Sequence, residues 1–236
     1  MVQYFAQVFK WIFLGVTLFS LFFLFNQFNP SQYFPIKTVR IYGVQHIDRD
    51  EIKNLLLPLV SKGFFMVNVT YVKDRLAEIP WAANIFVKRH WPDQLEVTIV
   101  EKKAIASWND EALISDTGEI FLPKNISQEK IPKLFGPLGK QVLMLQMLND
   151  INQILQSLQL SVRVLMLSPM FSWKVILDNG IVLQVGEQDI LTRLNHFVKV
   201  YAKMIGTHAK DVDYIDLRYA NGIAVRWKQD MKFNSK

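Results

Sequence analysis

The residues of this chain best suited to metal ligation or to proton transfer near neutral pH are its four histidines, His46, His90, His196 and His208. They are scattered and have no acidic residues at metal-ligand spacing. A zinc protease would show HExxH, a phosphate site a glycine-rich loop, a serine hydrolase GxSxG and a calcium site an EF-hand loop; the sequence contains none of these. Cysteine is absent, which excludes disulfides, thiolate zinc sites and cysteine nucleophiles. Asp110, Glu111, Asp116 and Glu119 form the densest acidic group, but they flank a stretch that reads as a hairpin, where turn and surface roles fit better than acid–base work. No catalytic, cofactor or metal residue is therefore assigned, and the chain is expected not to be an enzyme.

Recognition is the chemistry left, and the residue types that dominate interfaces are present. Near the C-terminal end, DVDYIDLRYANGIAVRW (211–227) reads as two alternating runs joined by a loop with Asn221-Gly222. Ile215, Leu217 and Tyr219 share one face of the first run, and Ile223, Val225 and Trp227 share one face of the second. A terminal strand of this kind is expected at a sheet edge with unpaired backbone groups. Trp81, Trp91, Trp108, Trp173 and Trp227 sit in or beside predicted strands, where packing against a core or sheet face is expected. Met144, Met147 and Met166 read as core fillers.

The elements that must position these residues begin with an apolar stretch. WIFLGVTLFSLFFLF (11–25) has no charge; fifteen helical residues reach roughly 22 Å, short of a hydrocarbon core of about 30 Å, and YFAQVF (4–9) can supply the missing turns. Lys10 then snorkels to the interface. No small-residue cleavage site follows, so an uncleaved anchor is expected. Lys10 and the N-terminal amine are the nearest positive charges, which puts the N-terminus in the cytoplasm and the body in the periplasm. The body beyond residue 30 carries a net charge of +5, one less than the whole chain's +6, and VKRH (87–90) is its densest basic patch. Nucleic-acid binding is therefore not expected.

Half of the residues are hydrophobic and 20% are charged, a balance that suits folded domains. KTVRIYG reads as a strand. DRDEIKNLLLPLV is a helix with Ile52, Leu55, Leu56 and Leu59 inward, which Pro58 should kink or end. NVTYVKDRLAEIP is a second helix, capped by Asn68 and stopped by Pro80. NIFVKRHW and QLEVTIVEK form a hairpin around Trp91-Pro92-Asp93. This strand-helix-helix-strand-strand order resembles a POTRA domain, a small periplasmic module. Further on, ALISDTGEIF and FSWKVILDNGIVLQVG are hairpins, and QVLMLQMLNDINQILQSL and DILTRLNHFVKVYAKMI are amphipathic helices. The predicted class is α+β: one N-terminal transmembrane helix, a POTRA domain, then a C-terminal antiparallel β domain with two amphipathic helices. The expected divisions are a short cytoplasmic tail (1–10), the anchor (11–28, starting as early as 4), a linker (29–33), the POTRA domain (34–103), the β domain (104–228) and a polar tail (229–236).

Taken together, FPIKTVRIYGVQHI, VKRHWPDQLEVTIVEKKAIASWND, LISDTGEIF, SWKVILDNGIVLQVG and DYIDLRYANGIAVRW resemble the FtsQ/DivIB family of bacterial cell division proteins. The resemblance implies a non-catalytic, bitopic inner-membrane scaffold at the division septum, linking early division proteins to septal peptidoglycan synthesis, with no cofactor. It implies FtsB and FtsL as main partners, with the FtsW/FtsI synthase complex, FtsK and FtsA as further contacts. Carried over, the FtsB-binding positions are Arg218, Tyr219, Gly222, Ile223, Ala224, Val225 and Trp227, and the recruitment positions on the POTRA domain are Val87 and Arg89. The sequence departs from the family at Met170-Phe171, where relatives often have partner-holding arginines, and in its very short cytoplasmic tail. The alternative reading is a POTRA-type protein for polypeptide export or outer-membrane assembly, disfavoured because no alternating barrel segments follow.

Overall fold

The computed structural model describes residues 2–27, 34–124, 131–219 and 222–228. The expected linker at 29–33, the polar tail at 229–236 and the loop residues Ala220 and Asn221 lie outside the described residues. The chain divides into two compact units, Met1–Glu101 and Lys102–Lys236.

Helix α1, Val2–Gln27, runs through the expected anchor segment as one element of 26 residues. Trp11, Phe13, Phe19 and Phe22 on it are exposed. Among the described residues, no helix is long and apolar enough to cross a membrane.

The rest of the first unit has the predicted order: β1 (Thr38–Tyr42), α2 (Arg49–Val60), α3 (Val69–Ala77), β2 (Ala82–His90) and β3 (Gln94–Glu101). The strands lie in the order β1-β3-β2, with β1 parallel and β2 antiparallel to the central β3. Alternation along β3 buries Leu95, Val97 and Ile99, matched by Ile52 and Leu56 of α2 and Val72 and Leu76 of α3. Asp48 caps α2 by accepting from the Asp50 amide, and Asn68 caps α3 by accepting from the Tyr71 amide. Pro58 does not end α2, which continues to Val60. Trp91 corrects another expectation: it lies in the β2–β3 turn and is 74% exposed rather than packed.

In the second unit, β4 (Ala104–Trp108), β5 (Ala112–Ser115), β6 (Ile120–Phe121) and β7 (Lys133–Phe135) precede α4 (Gln141–Leu155). Then come β8 (Val162–Leu167), β9 (Trp173–Leu177), β10 (Val182–Gly186), α5 (Ile190–Val200), β11 (Val212–Asp216) and β12 (Ala224–Trp227). A π-helical turn (Tyr201–Ile205) and a 3-10 turn (Gly206–Asp211) connect α5 to β11. One nine-stranded sheet results, ordered β12-β11-β10-β9-β8-β7-β4-β5-β6.

This sheet is mixed, not antiparallel as predicted. Strands β7 and β8 are parallel and flank α4, and β10 and β11 are parallel and flank α5. A helix joining two adjacent strands carries the chain back to its starting end, so those strands must run the same way. Strand β7 is also parallel to β4. Met144, Leu148, Ile151 and Leu155 of α4 and Ile190, Leu194 and Phe197 of α5 join Leu165, Val175 and Leu183 of the sheet in one core. Met147 is only partly buried at its margin.

Candidate partner-binding edge

The last strand lies where the sequence suggested, at the end of the sheet. Strand β12 pairs on one side with β11, in the register Val212↔Trp227, Tyr214↔Arg226, Ile215↔Val225 and Asp216↔Ala224. Among the described residues, no strand pairs with its other side. Just beyond the strand, the Lys228 amide donates to the Asp211 carbonyl (2.8 Å) and its ammonium to the Lys210 carbonyl (2.8 Å), which fixes how far β12 runs along β11.

Sequence alternation left open which side chains of this strand look inward. Ile223, Val225 and Trp227 are half-buried against the domain core, while Ala224 and Arg226 are exposed. The Arg226 guanidinium lies 5.7 Å from the Tyr214 ring centroid and 3.5 Å from an Asp213 carboxylate oxygen. Tyr219 departs from the expected face. Ile215 and Leu217 are buried, but β11 ends at Asp216 and Tyr219 turns outward, 62% exposed.

Arg218 is held by a residue that the motif reading passed over. Its Nε and Nη2 donate to the Asp216 carboxylate at 2.9 and 2.6 Å, and its amide donates to the same carboxylate at 3.0 Å. The Arg218 guanidinium holds the Asp216 carboxyl below the usual carboxylate range, and burial opposes this only in part. A second guanidinium approaches from α5, where Arg193 Nη1 donates to the Val185 carbonyl (2.6 Å). Both arginines cross Gly186, whose backbone has φ +90°. A Cβ built there would lie 2.7 Å from Arg193 Nη1 and 3.1 Å from Arg218 Cγ, so the guanidinium of Arg193 would have to shift, and the positive φ itself favours glycine.

Of these groups Arg193 lines a hollow of about 520 Å³ beside the strand, together with Asp189, Thr192, His196, Leu217, Tyr219 and Ile223. It can take an apolar or acidic side chain of a segment lying along β12. Arg193 carried no sequence signal, because its place beside Gly186 exists only once α5 packs on the sheet; Asp216 stands two residues before Arg218 within the motif and was passed over. At the departure noted above, Met170 and Phe171 are both exposed, and the Lys140 ammonium lies 5.1 Å from the Phe171 ring centroid.

Of the two expected POTRA positions, Val87 is half-buried and Arg89 exposed; they stand opposite the buried Val97 and Leu95 of β3. Arg89 Nη1 donates to the Phe64 carbonyl (3.3 Å), while Phe86, Lys88 and His90 project from the opposite, exposed face. At the far end of β3, Glu101 fastens the loop after β1. Its carboxylate accepts from the amides of Gln45 (2.8 Å), His46 (3.0 Å) and Ile47 (3.1 Å) and lies 2.7 Å from His46 Nδ1. The His46 ring stacks on Trp81 with a centroid separation of 4.3 Å. Burial pushes the Glu101 carboxyl up, but the hydrogen bonds from Gln45, His46 and Ile47 together outweigh it and leave it below its ordinary value.

A three-stranded sheet covered by two helices, followed by a second unit with a mixed sheet, defines a POTRA-bearing protein. The family described as "POTRA domain, FtsQ-type" matches residues 34–102, and the one described as "Cell division protein FtsQ/DivIB, C-terminal" matches residues 106–218. Relatives named Cell division protein FtsQ include that of Coxiella burnetii, 33% identical over 202 residues that cover 85% of this chain and 83% of the relative. That of Aliivibrio fischeri is 33% identical over 83% of this chain and 77% of its own length. That of Escherichia coli K12 is 32% identical over 84% of this chain and 75% of its own length. The chain belongs to the FtsQ/DivIB family of cell division proteins.

Proposed function

We propose that this cell division protein is a non-catalytic, bitopic scaffold, anchored in the inner membrane by α1 with its body in the periplasm. In this reading it captures FtsB, with FtsL, by strand addition along β12 and thereby links early division proteins to the septal synthase complex. The observation that carries the reading is the placement of β12: among the described residues it is paired on one side only, beside a hollow lined by Arg193, Tyr219 and Ile223. Strand addition would satisfy the outward backbone groups, and the hollow would supply side-chain selectivity. The anchor is assigned to α1 because that helix runs unbroken through the uncharged stretch 11–25.

A photocrosslinking residue at Ala224 or Arg226 tests the site, because both side chains are exposed on the strand. The expected product is an adduct with FtsB in dividing cells, absent when the crosslinker stands at exposed Lys53 of α2. A fluorescent fusion is expected at the septum, and depletion is expected to give filaments. Uniform envelope fluorescence together with equal crosslinking from Lys53 and Ala224 would overturn the reading.

A further inference from the structure

The end of the POTRA unit nearest α1 along the chain gathers aromatic and basic side chains that the β12 edge does not use. Three segments meet there. The Phe64 amide donates to the Phe34 carbonyl (2.8 Å), and the Phe65 ring packs edge-on against Phe34 with a centroid separation of 4.9 Å. The amides of Lys37 and Thr38 both donate to the Asp93 carbonyl (2.9 and 3.3 Å), which seats the β2–β3 turn beside the start of β1. Arg89 of β2 reaches the Phe64 carbonyl and closes the group. On this surface Phe65 is 53%, Met66 60% and Trp91 74% exposed, and Lys37 and Lys62 are exposed beside them. The acids nearby are engaged: Asp93 lies 3.5 Å from the Lys37 ammonium, and Glu96 lies 3.3 Å from His90.

Three large apolar side chains left in water on one end of a small unit need a reason. Trp and Phe with neighbouring lysines are the residue types that settle at the boundary between lipid headgroups and acyl chains. Phe34 follows Gln27, the last residue of α1, by seven residues, so at most about 25 Å of chain separates this end from that helix. We propose that this end of the POTRA unit rests on the phospholipid surface, with Phe65, Met66 and Trp91 in the interfacial layer and Lys37 and Lys62 at phosphate level. The proposal rests on α1 being a membrane anchor. A bilayer is the occupant because the tether keeps it within reach at all times, and because the lysines match its phosphates.

The absence of native cysteine allows single-cysteine labelling of the full-length protein. An environment-sensitive fluorophore is placed at Met66→Cys, at Gln45→Cys by the Glu101 end of β3, or at Phe19→Cys within α1. Each labelled protein is reconstituted in phosphatidylglycerol/phosphatidylethanolamine nanodiscs containing spin-labelled lipid. The Met66 label is expected to be quenched about twofold or more by a headgroup-level spin label, with the Gln45 label unaffected. The Phe65→Ser/Trp91→Ser pair, both exposed positions, is expected to bring Met66 quenching down to the Gln45 level. Equal quenching at Met66 and Gln45, with the Phe19 label quenched by an acyl-chain spin label, would overturn the surface contact and leave the anchor standing. An unquenched Phe19 label would overturn the anchor and the proposal with it. Shielding of the Met66 label from aqueous iodide without lipid quenching would assign the patch to a protein partner or a second copy and overturn the proposal as well.

Discussion

Strands β2 and β12 each lie at one edge of their sheets, unpaired on one side among the described residues, and these two edges differ in ways that matter for association. Strand β2 spans Ala82–His90, carries a bulge between Ala82 and Asn84, and presents Phe86, Lys88 and His90 outward. Strand β12 spans only Ala224–Trp227, and a hollow lined by side chains of α5 and of the loop after β11 lies beside it. Bulges and lysines are the devices by which sheets discourage unwanted pairing. The longer edge therefore carries the protection, and the shorter one carries the recesses and guanidinium groups that a specific partner could use. Length alone does not make an edge a docking site; the side chains around it decide.

The largest effect that would sharpen this contrast is expected at Glu101. Glu101→Ala leaves three backbone amides of the Gln45–Ile47 loop without their acceptor and should cost about 2–3 kcal/mol of POTRA stability. Hydrogen exchange at those amides should accelerate while the proposed FtsB capture by the other unit is unchanged. Trp227→Ala comes next. It removes half-buried packing at the core margin and should cost about 2 kcal/mol, read as a lower urea midpoint, together with weaker capture. Tyr219→Ala should lower FtsB affinity about tenfold without moving the melting temperature, because its ring is exposed. If Phe86→Ala on β2 weakened FtsB capture as much, the contrast between the edges would fail. The smallest effect is expected from Asp216→Asn, which loosens Arg218 and should weaken capture about threefold, less so at high salt.

Acid should affect both units in the same direction. Glu101 and Asp216 each have a folded-state carboxyl pKa below the ordinary value. Their stabilisation is therefore fully present above about pH 4, where the unfolded carboxylates titrate, and is lost as pH falls through the lower folded values. Glu101→Gln should flatten the acid limb of POTRA stability in a pH series of urea melts; an unchanged limb would count against the latch.

Much of this architecture was legible because it rests on local pattern. The β3 alternation, the Asn68 cap, the Asn179-Gly180 turn and the stripe on α4 each have a cause within a dozen residues. Three strands of the second unit escaped notice for physical reasons. Strand β4 buries Ala106, Ser107 and Trp108 in succession, so no face alternates. Strand β7 has only three residues, and β8 has a register shift between Val162 and Val164 that breaks its period. The parallel pairings β7–β8 and β10–β11 were hidden because each needs a helix crossing, and β4–β7 because two strands intervene between the partners. At the candidate edge, the strand and its aromatic residues were readable from the sequence. Arg193 over Gly186 was not, because that contact exists only once α5 has packed on the sheet.

The brevity of β12 has a kinetic consequence. A four-residue strand offers two residues' worth of outward backbone groups, and at about 1 kcal/mol net per hydrogen bond this amounts to only a few kcal/mol. Against the cost of association, so small a return gives a short residence time unless side chains in the neighbouring hollow extend it. On the proposed reading, an edge of this length would make capture readily reversible, with the dissociation rate set beside the strand rather than along it.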